Sequence, residues 1–247
     1  MRVRRDQLVL GAVAAALLVA IVAFAASSSS VRTDGTPTPT ATPASDRDLF
    51  GGSLEPRVRY HTRALTPPLS FVVGDSEWLA RDTTSADYLL IERRNRTGQP
   101  GGEYPGRAWL VFSRLPTVYA PRQRGAVTPA PADLYAWMRR HPDLQVGPRQ
   151  DVVVAGIKGY VFSSRVRFGR LGEPTVFPAV CIRLDVPCSA LAPNRALLEG
   201  SRMRTFVLEE PDPYPLVIDV IGLRGRDLDD LELPAGEVLR TLQIDGG

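Results

Sequence analysis

The chain has 247 residues, formal net charge +3 and 44% hydrophobic residues, with two cysteines and two histidines. That length allows one sizeable core, and the histidine count leaves little material for a zinc site, which wants four ligands at close spacing. Arg2, Arg4, Arg5 and Asp6 account for +2 of the charge, so the remainder carries only +1. Such a balance gives no footprint for nucleic acid.

The first seven residues, MRVRRDQ, precede an apolar run from Leu8 to Ala26. As a helix of nineteen residues it would be ~28 Å long, close to the ~30 Å hydrocarbon core of a bilayer. With the arginines kept on the cytoplasmic side, the rest of the chain is expected outside the plasma membrane. Two outcomes fit the run. The uninterrupted length favours a retained single-pass anchor, and Ala23-Phe24-Ala25 matches a signal-peptide cleavage pattern that would release the protein after Ala25. Arg4-Arg5 lacks the apolar context of a twin-arginine signal.

Residues 27–53 begin with four serines and repeated Thr-Pro. That composition cannot bury a core and is expected to form a disordered stalk. Asn95-Arg96-Thr97 is a glycosylation sequon. The single lysine, Lys158, among many arginines suggests a GC-rich bacterial genome in which the sequon is incidental.

From residue 54 to 247 the pattern is that of one α+β domain, an antiparallel sheet covered by helices. Strands are expected at Leu69–Val73, at Tyr88–Ile91 ending at Glu92, and at Ala108–Phe112. A further pair is expected at Asp151–Ala155 and Tyr160–Phe168, where Tyr160, Phe162, Val166 and Phe168 share one face. A last pair comprises Met203–Leu208 and Leu216–Ile221, joined by an acidic turn. Ala132–His141 reads as a helix whose Leu134, Trp137, Met138 and His141 fall on one side. Leu228–Leu242 is expected to be helical in its second part, with Pro234 in the first turn and Val238, Leu239 and Leu242 inward.

Several residues invite a chemical reading. Gly74-Asp75-Ser76 follows an apolar strand, as the nucleophile does in GDSL-type hydrolases. The residue after Ser76 is Glu77, and no D-x-x-H follows; without a base a serine hydroxyl is a poor nucleophile. A strand-ending turn capped by Asp75 or Ser76 is the simpler expectation. His141, at a helix end, suits capping; His61 has no visible partner. Lys158, between Gly156 and Gly159, is expected at a solvated hairpin tip. Asp227, Asp229 and Asp230 begin like a calcium loop but lack its glycine and final glutamate, so acids at a helix start are expected instead. No cofactor or metal is implied. The loop Arg93–Arg107, basic and glycine-rich, is the candidate surface for an anionic partner.

Cys181 and Cys188 would sit in an oxidising compartment, where disulfides persist. A bridge closing eight residues contributes ~2.5 kcal/mol in the chain-entropy account. The six intervening residues do not suit a redox pair, which is usually C-x-x-C.

The stretches LSFVVGDSEW, PADLYAWMRRHPDL, VVVAGIKGYVF, RMRTFVLE with YPLVIDVIG, and LPAGEVLRTLQI, in that order, resemble exported actinobacterial domains of the PsbP-like fold. That class also includes a Ran-binding nuclear import factor. The resemblance spans residues 65–245 and lies in pattern and order. It implies a non-enzymatic binding or assembly module and transfers no functional residue. The expectation is therefore a membrane-anchored extracytoplasmic binding or assembly module of a bacterial envelope, with an envelope protein or polymer as partner. The alternative is an envelope hydrolase using Ser76 or clustered carboxylates.

Overall fold

A computed structural model describes residues 45–63, 65–82, 88–94, 107–114, 117–119, 127–142, 144–167, 200–209, 214–222 and 225–244. The expected membrane helix (8–26), the sequon at Asn95, most of the Arg93–Arg107 loop, Phe168 and both cysteines lie outside them. No helix among the described residues is long and apolar enough to cross a membrane.

The described strands are β1 (Ser45–Asp48), β2 (Gly52–Ser53), β3 (Val58–His61), β4 (Leu69–Val72), β5 (Trp78–Asp82), β6 (Tyr88–Arg94), β7 (Arg107–Arg114), β8 (Thr117–Tyr119), β9 (Val127–Pro129), β10 (Leu144–Val146), β11 (Gln150–Val154), β12 (Ile157–Val166), β13 (Arg202–Leu208), β14 (Leu216–Gly222) and β15 (Gln243–Ile244). Helices α1 (Leu134–Arg140) and α2 (Gly225–Thr241) complete the set. The fold class is α+β. Among the described residues a nine-stranded sheet runs β10-β12-β13-β14-β7-β6-β5-β2, with β11 also on β12. A smaller sheet runs β1-β3-β4-β15, and β8 pairs β9. All these pairings are antiparallel except β1 with β3.

Alternation along the central strands feeds two cores, because successive side chains point to opposite faces. Leu216, Ile218 and Val220 of β14 join Leu110 and Phe112 of β7 in the larger core, with Leu228, Leu231, Ala235 and Val238 of α2 and Phe71 of β4. Val217 and Ile221 face the other way, with Trp109, Val111, Tyr160, Phe162, Met203, and Leu134 and Met138 of α1. The large sheet thus has α2 and the small sheet on one face and α1 on the other.

Five expectations are corrected. The strands begin ahead of residue 54: Ser45–Asp48, inside the expected stalk, pairs residue for residue with Val58–His61, and Leu49 and Leu54 anchor this segment in the core. Strand β6 does not end at Glu92 but runs on to Arg94, since Arg81 Nε donates to Glu92 Oε2 at 2.6 Å and lets the acid be buried. Helix α2 begins at Gly225, so Pro234 stands inside it rather than in its first turn. The β11–β12 turn is Ala155-Gly156, both with positive φ, which places Lys158 one step beyond the tip. Helix α1 is shorter than expected at its start because Asp133 caps it, its carboxylate accepting from the Ala136 N–H.

Candidate functional site

Strand β4 delivers Val73 to the core, and the chain then turns through Gly74-Asp75-Ser76-Glu77 into β5. Asp75 holds this turn with both oxygens. Its Oδ1 accepts the Glu77 N–H at 3.0 Å, an Asx turn, and its Oδ2 accepts from Arg93 Nη2 at 2.6 Å. Gly74 is packed closely by α2: a Cβ there would lie 2.2 Å from Glu237 Oε2. Ser76 is exposed at the turn.

Neither histidine reaches Ser76. His61 pairs with Ser70 at the far end of β4, about 13 Å back along the strand from Gly74 at ~3.3 Å per residue. Its Nε2 lies 3.8 Å from Asp46 Oδ1. His141 is the C-cap of α1, its N–H donating to the Met138 carbonyl and its ring edge-on to Trp137 at 5.3 Å. That helix serves the opposite core.

The other candidates also have structural partners. Lys158 is exposed, and its carbonyl accepts the Glu209 N–H. Asp229 accepts from Arg202 Nη1 at 2.8 Å, and Glu232 from Arg204 Nη1 at 3.1 Å, so acids of α2 tie it to β13. Asp227 and Asp230 lie in the same first half of α2. Among the described residues no group of His, Cys, Asp or Glu is placed to hold a metal ion.

What the structure assembles is a row of arginines. The strand registers run Trp78–Arg93–Ala108–Gly222–Arg202–Arg165–Gln145 across seven strands. Positions in such a row share one face of the sheet, here the α2 face, to which Trp78 and Ala108 contribute core contacts. Arg202 and Arg165 are on adjacent strands, ~4.8 Å apart, and Arg93 is three strands from Arg202, ~14 Å. Arg167 extends the row by donating to Gln145 Oε1 at 3.2 Å. Arg93 and Arg202 already hold Asp75 and Asp229. Arg165 is exposed and meets no carboxylate of the described residues; α2 packs mainly over β14, β4 and β7 and reaches β13 only at its edge. Arg94, next to Arg93, is exposed at the same end. Two candidates separate in the sequence, the Gly74–Glu77 turn and the basic loop that begins at Arg93, are thus joined by the Asp75–Arg93 pair.

Sequence reasoning passed over a second feature. Asp219, in the middle of β14, is 0% exposed. Its Oδ1 accepts from Thr205 Oγ1 at 2.6 Å, and its Oδ2 has no hydrogen-bond partner. Burial pushes the carboxyl up to about 6, partly offset by the Thr205 hydroxyl. The signal was present: an acid interrupts the apolar run LVIDVIG.

No family model matches the chain, and no curated protein matches it. Among solved structures it matches the solution structure of cyanobacterial PsbP (CyanoP) from Synechocystis sp. PCC 6803. The identity is 12% and the TM-score 0.35, over 71% of this chain and 86% of that one. This is a protein of the class that the order of elements resembles; at that TM-score the architecture above rests on its own registers.

Proposed function

We propose that the chain is a membrane-anchored, extracytoplasmic binding module of a bacterial cell envelope that holds an anionic envelope polymer at its arginine-bearing end. The observation that carries this reading is the register row of Arg93, Arg202 and Arg165, with Arg165 meeting no carboxylate among the described residues. Guanidinium groups match carboxylate and phosphate oxygens in a fork geometry, and charges spaced along a sheet suit a repeating oxyanion chain. A net charge near zero does not oppose this, because the arginines gather at one end of the sheet. The apolar run Leu8–Ala26 and the Thr/Pro segment after it support a membrane-tethered placement.

The test is binding of the full chain in detergent to two labelled polymers, polygalacturonate and polyphosphate, comparing Arg165→Glu with Lys158→Glu. The two substitutions change net charge equally at opposite ends of β12. We expect Arg165→Glu to weaken binding roughly five- to tenfold and Lys158→Glu less than about twofold. The polymer retained better identifies carboxylate or phosphate as the natural group. Equal effects of the two substitutions, or no binding to either polymer, would overturn the reading.

A further inference from the structure

Among the described residues, the buried face between the large sheet and α1 contains an acid, Asp219, that no cation neutralises. Asp219 lies in the register row Phe162–Thr205–Asp219–Val111–Leu90 across β12, β13, β14, β7 and β6. The adjoining rows on the same face supply Met203, Ile221 and Trp109 on one side and Val207, Val217 and Ser113 on the other. The Ser113 hydroxyl is committed to the Val217 carbonyl, and Ser164 Oγ, one row away, has no partner. No cation among the described residues faces Asp219 from a packed element. On β13, Arg202 and Arg204 point to the other face, and on β7 Arg114 reaches the Thr66 and Tyr214 carbonyls. Among the described residues, the titratable groups on this side include Glu92 of β6, tied to Arg81 of β5, and Tyr88; Tyr160 of β12, with Arg149 of the β10–β11 link over its ring and the acids Asp133 and Glu209 acting on it; and Tyr135, Arg139 and His141 at α1, with Arg139 over the Tyr135 ring.

A protonated carboxyl fits this place as a neutral group with one strong hydrogen bond. An ionised one leaves an anionic oxygen in an apolar layer, which costs far more than an unpaired neutral atom unless water or a cation enters. A sequence selected for stability alone would carry valine here, as at Val217 and Val220 beside it. We propose that Asp219 is an acid-dependent latch of the α1-side core, closed while its carboxyl is protonated and loosened when it ionises.

The sign of the effect on global stability is fixed by the raised value. The stabilisation is fully present below the ordinary value of 3.8, is lost as pH rises to about 6, and is flat above that. Other acids gain stability in the same window, so the quantity to read is the difference from Asp219→Asn. Relative to that variant, the wild-type folding constant should fall about 50-fold between pH 4 and pH 7. The local opening is read by amide exchange of the full chain at pH 5 and pH 7.5, corrected for intrinsic rates. Exchange in Ile157–Val166 and Leu134–Arg140 should rise about tenfold or more in the wild type at the higher pH, while α2, on the other face, keeps its protection. The variant should show no such rise. Unchanged protection in the wild type, or the same rise in the variant, would overturn the proposal. If the variant does not fold, the wild-type comparison of the α1 side with α2 decides by itself.

Discussion

Gly159 shows how far a single missing side chain can shape the sheet. It pairs with Leu208, and a Cβ at this position would lie 2.2 Å from the Val207 carbonyl oxygen and 2.9 Å from Leu208 Cα. Both obstacles are backbone in the central pair β12–β13, so neither can rotate away. Gly159→Ala should therefore cost about 2–3 kcal/mol, the range of strained core substitutions, read as a lowered urea midpoint with unchanged slope. The two glycines that flank Lys158 serve different ends: Gly156 supplies a turn conformation with φ +81, and Gly159 supplies room. Their spacing in the sequence suggested a hairpin, and rightly so. It could not say which residue formed the tip, because the close approach comes from β13, more than forty residues away. Asp219 is the converse case. Its burial is plain from its place between Val217 and Ile221, but that Thr205 serves only one of its oxygens, with no cation of the described residues opposite, depends on register.

At the level of elements, the legible parts were those with an amphipathic period. The Tyr160, Phe162, Val166 alternation of β12 and the Leu134, Met138 spacing of α1 both enter the same core. Strand β1 was not legible: its sequence, Ser45-Asp46-Arg47-Asp48, has no apolar side chain, and it forms because β3 offers a parallel edge. Helix α2 was half legible. Its apolar face starts at Leu228 and Leu231, but Pro234 reads as a boundary. A proline inside a helix lacks an N–H for the residue four before it and crowds that carbonyl. Burial of Leu231, Ala235 and Val238 on one side, with Arg202 and Arg204 holding Asp229 and Glu232 on the other, outweighs that cost. Pro234→Ala should raise stability by about 1–3 kcal/mol, seen as a higher thermal midpoint. In α1, Asp133→Ala removes the bond to the Ala136 N–H and should cost about 1 kcal/mol. With seven residues the helix has little else to hold its first turn, so amide exchange at Tyr135 and Ala136 should rise first.

Over the whole molecule, the fold class was open to the sequence and the candidate site was not. Composition and alternation point to an antiparallel sheet with helices, and the structure has that arrangement. The arginines at positions 93, 165 and 202 are separated by 72 and 37 residues, and only the strand order β6-β7-β14-β13-β12 brings them into one row. Net charge concealed them, since the acids of α2 and of the Gly74–Glu77 turn balance the sum, holding Arg202 and Arg93. Ser76 was the reverse: conspicuous as a motif, and in the folded chain an exposed turn residue with His61 at the other end of β4.

The measurement that tests the binding account most directly is the salt dependence of polymer affinity in the full-length protein, from about 50 to 300 mM. Arg165, with Arg167 beside it, releases counterions when it pairs with polymer oxyanions, so log K should fall linearly with log salt with a slope of about −1 to −2, reduced by about one in Arg165→Glu. Affinity that does not change with salt, or a slope that Arg165→Glu leaves intact, would contradict the account.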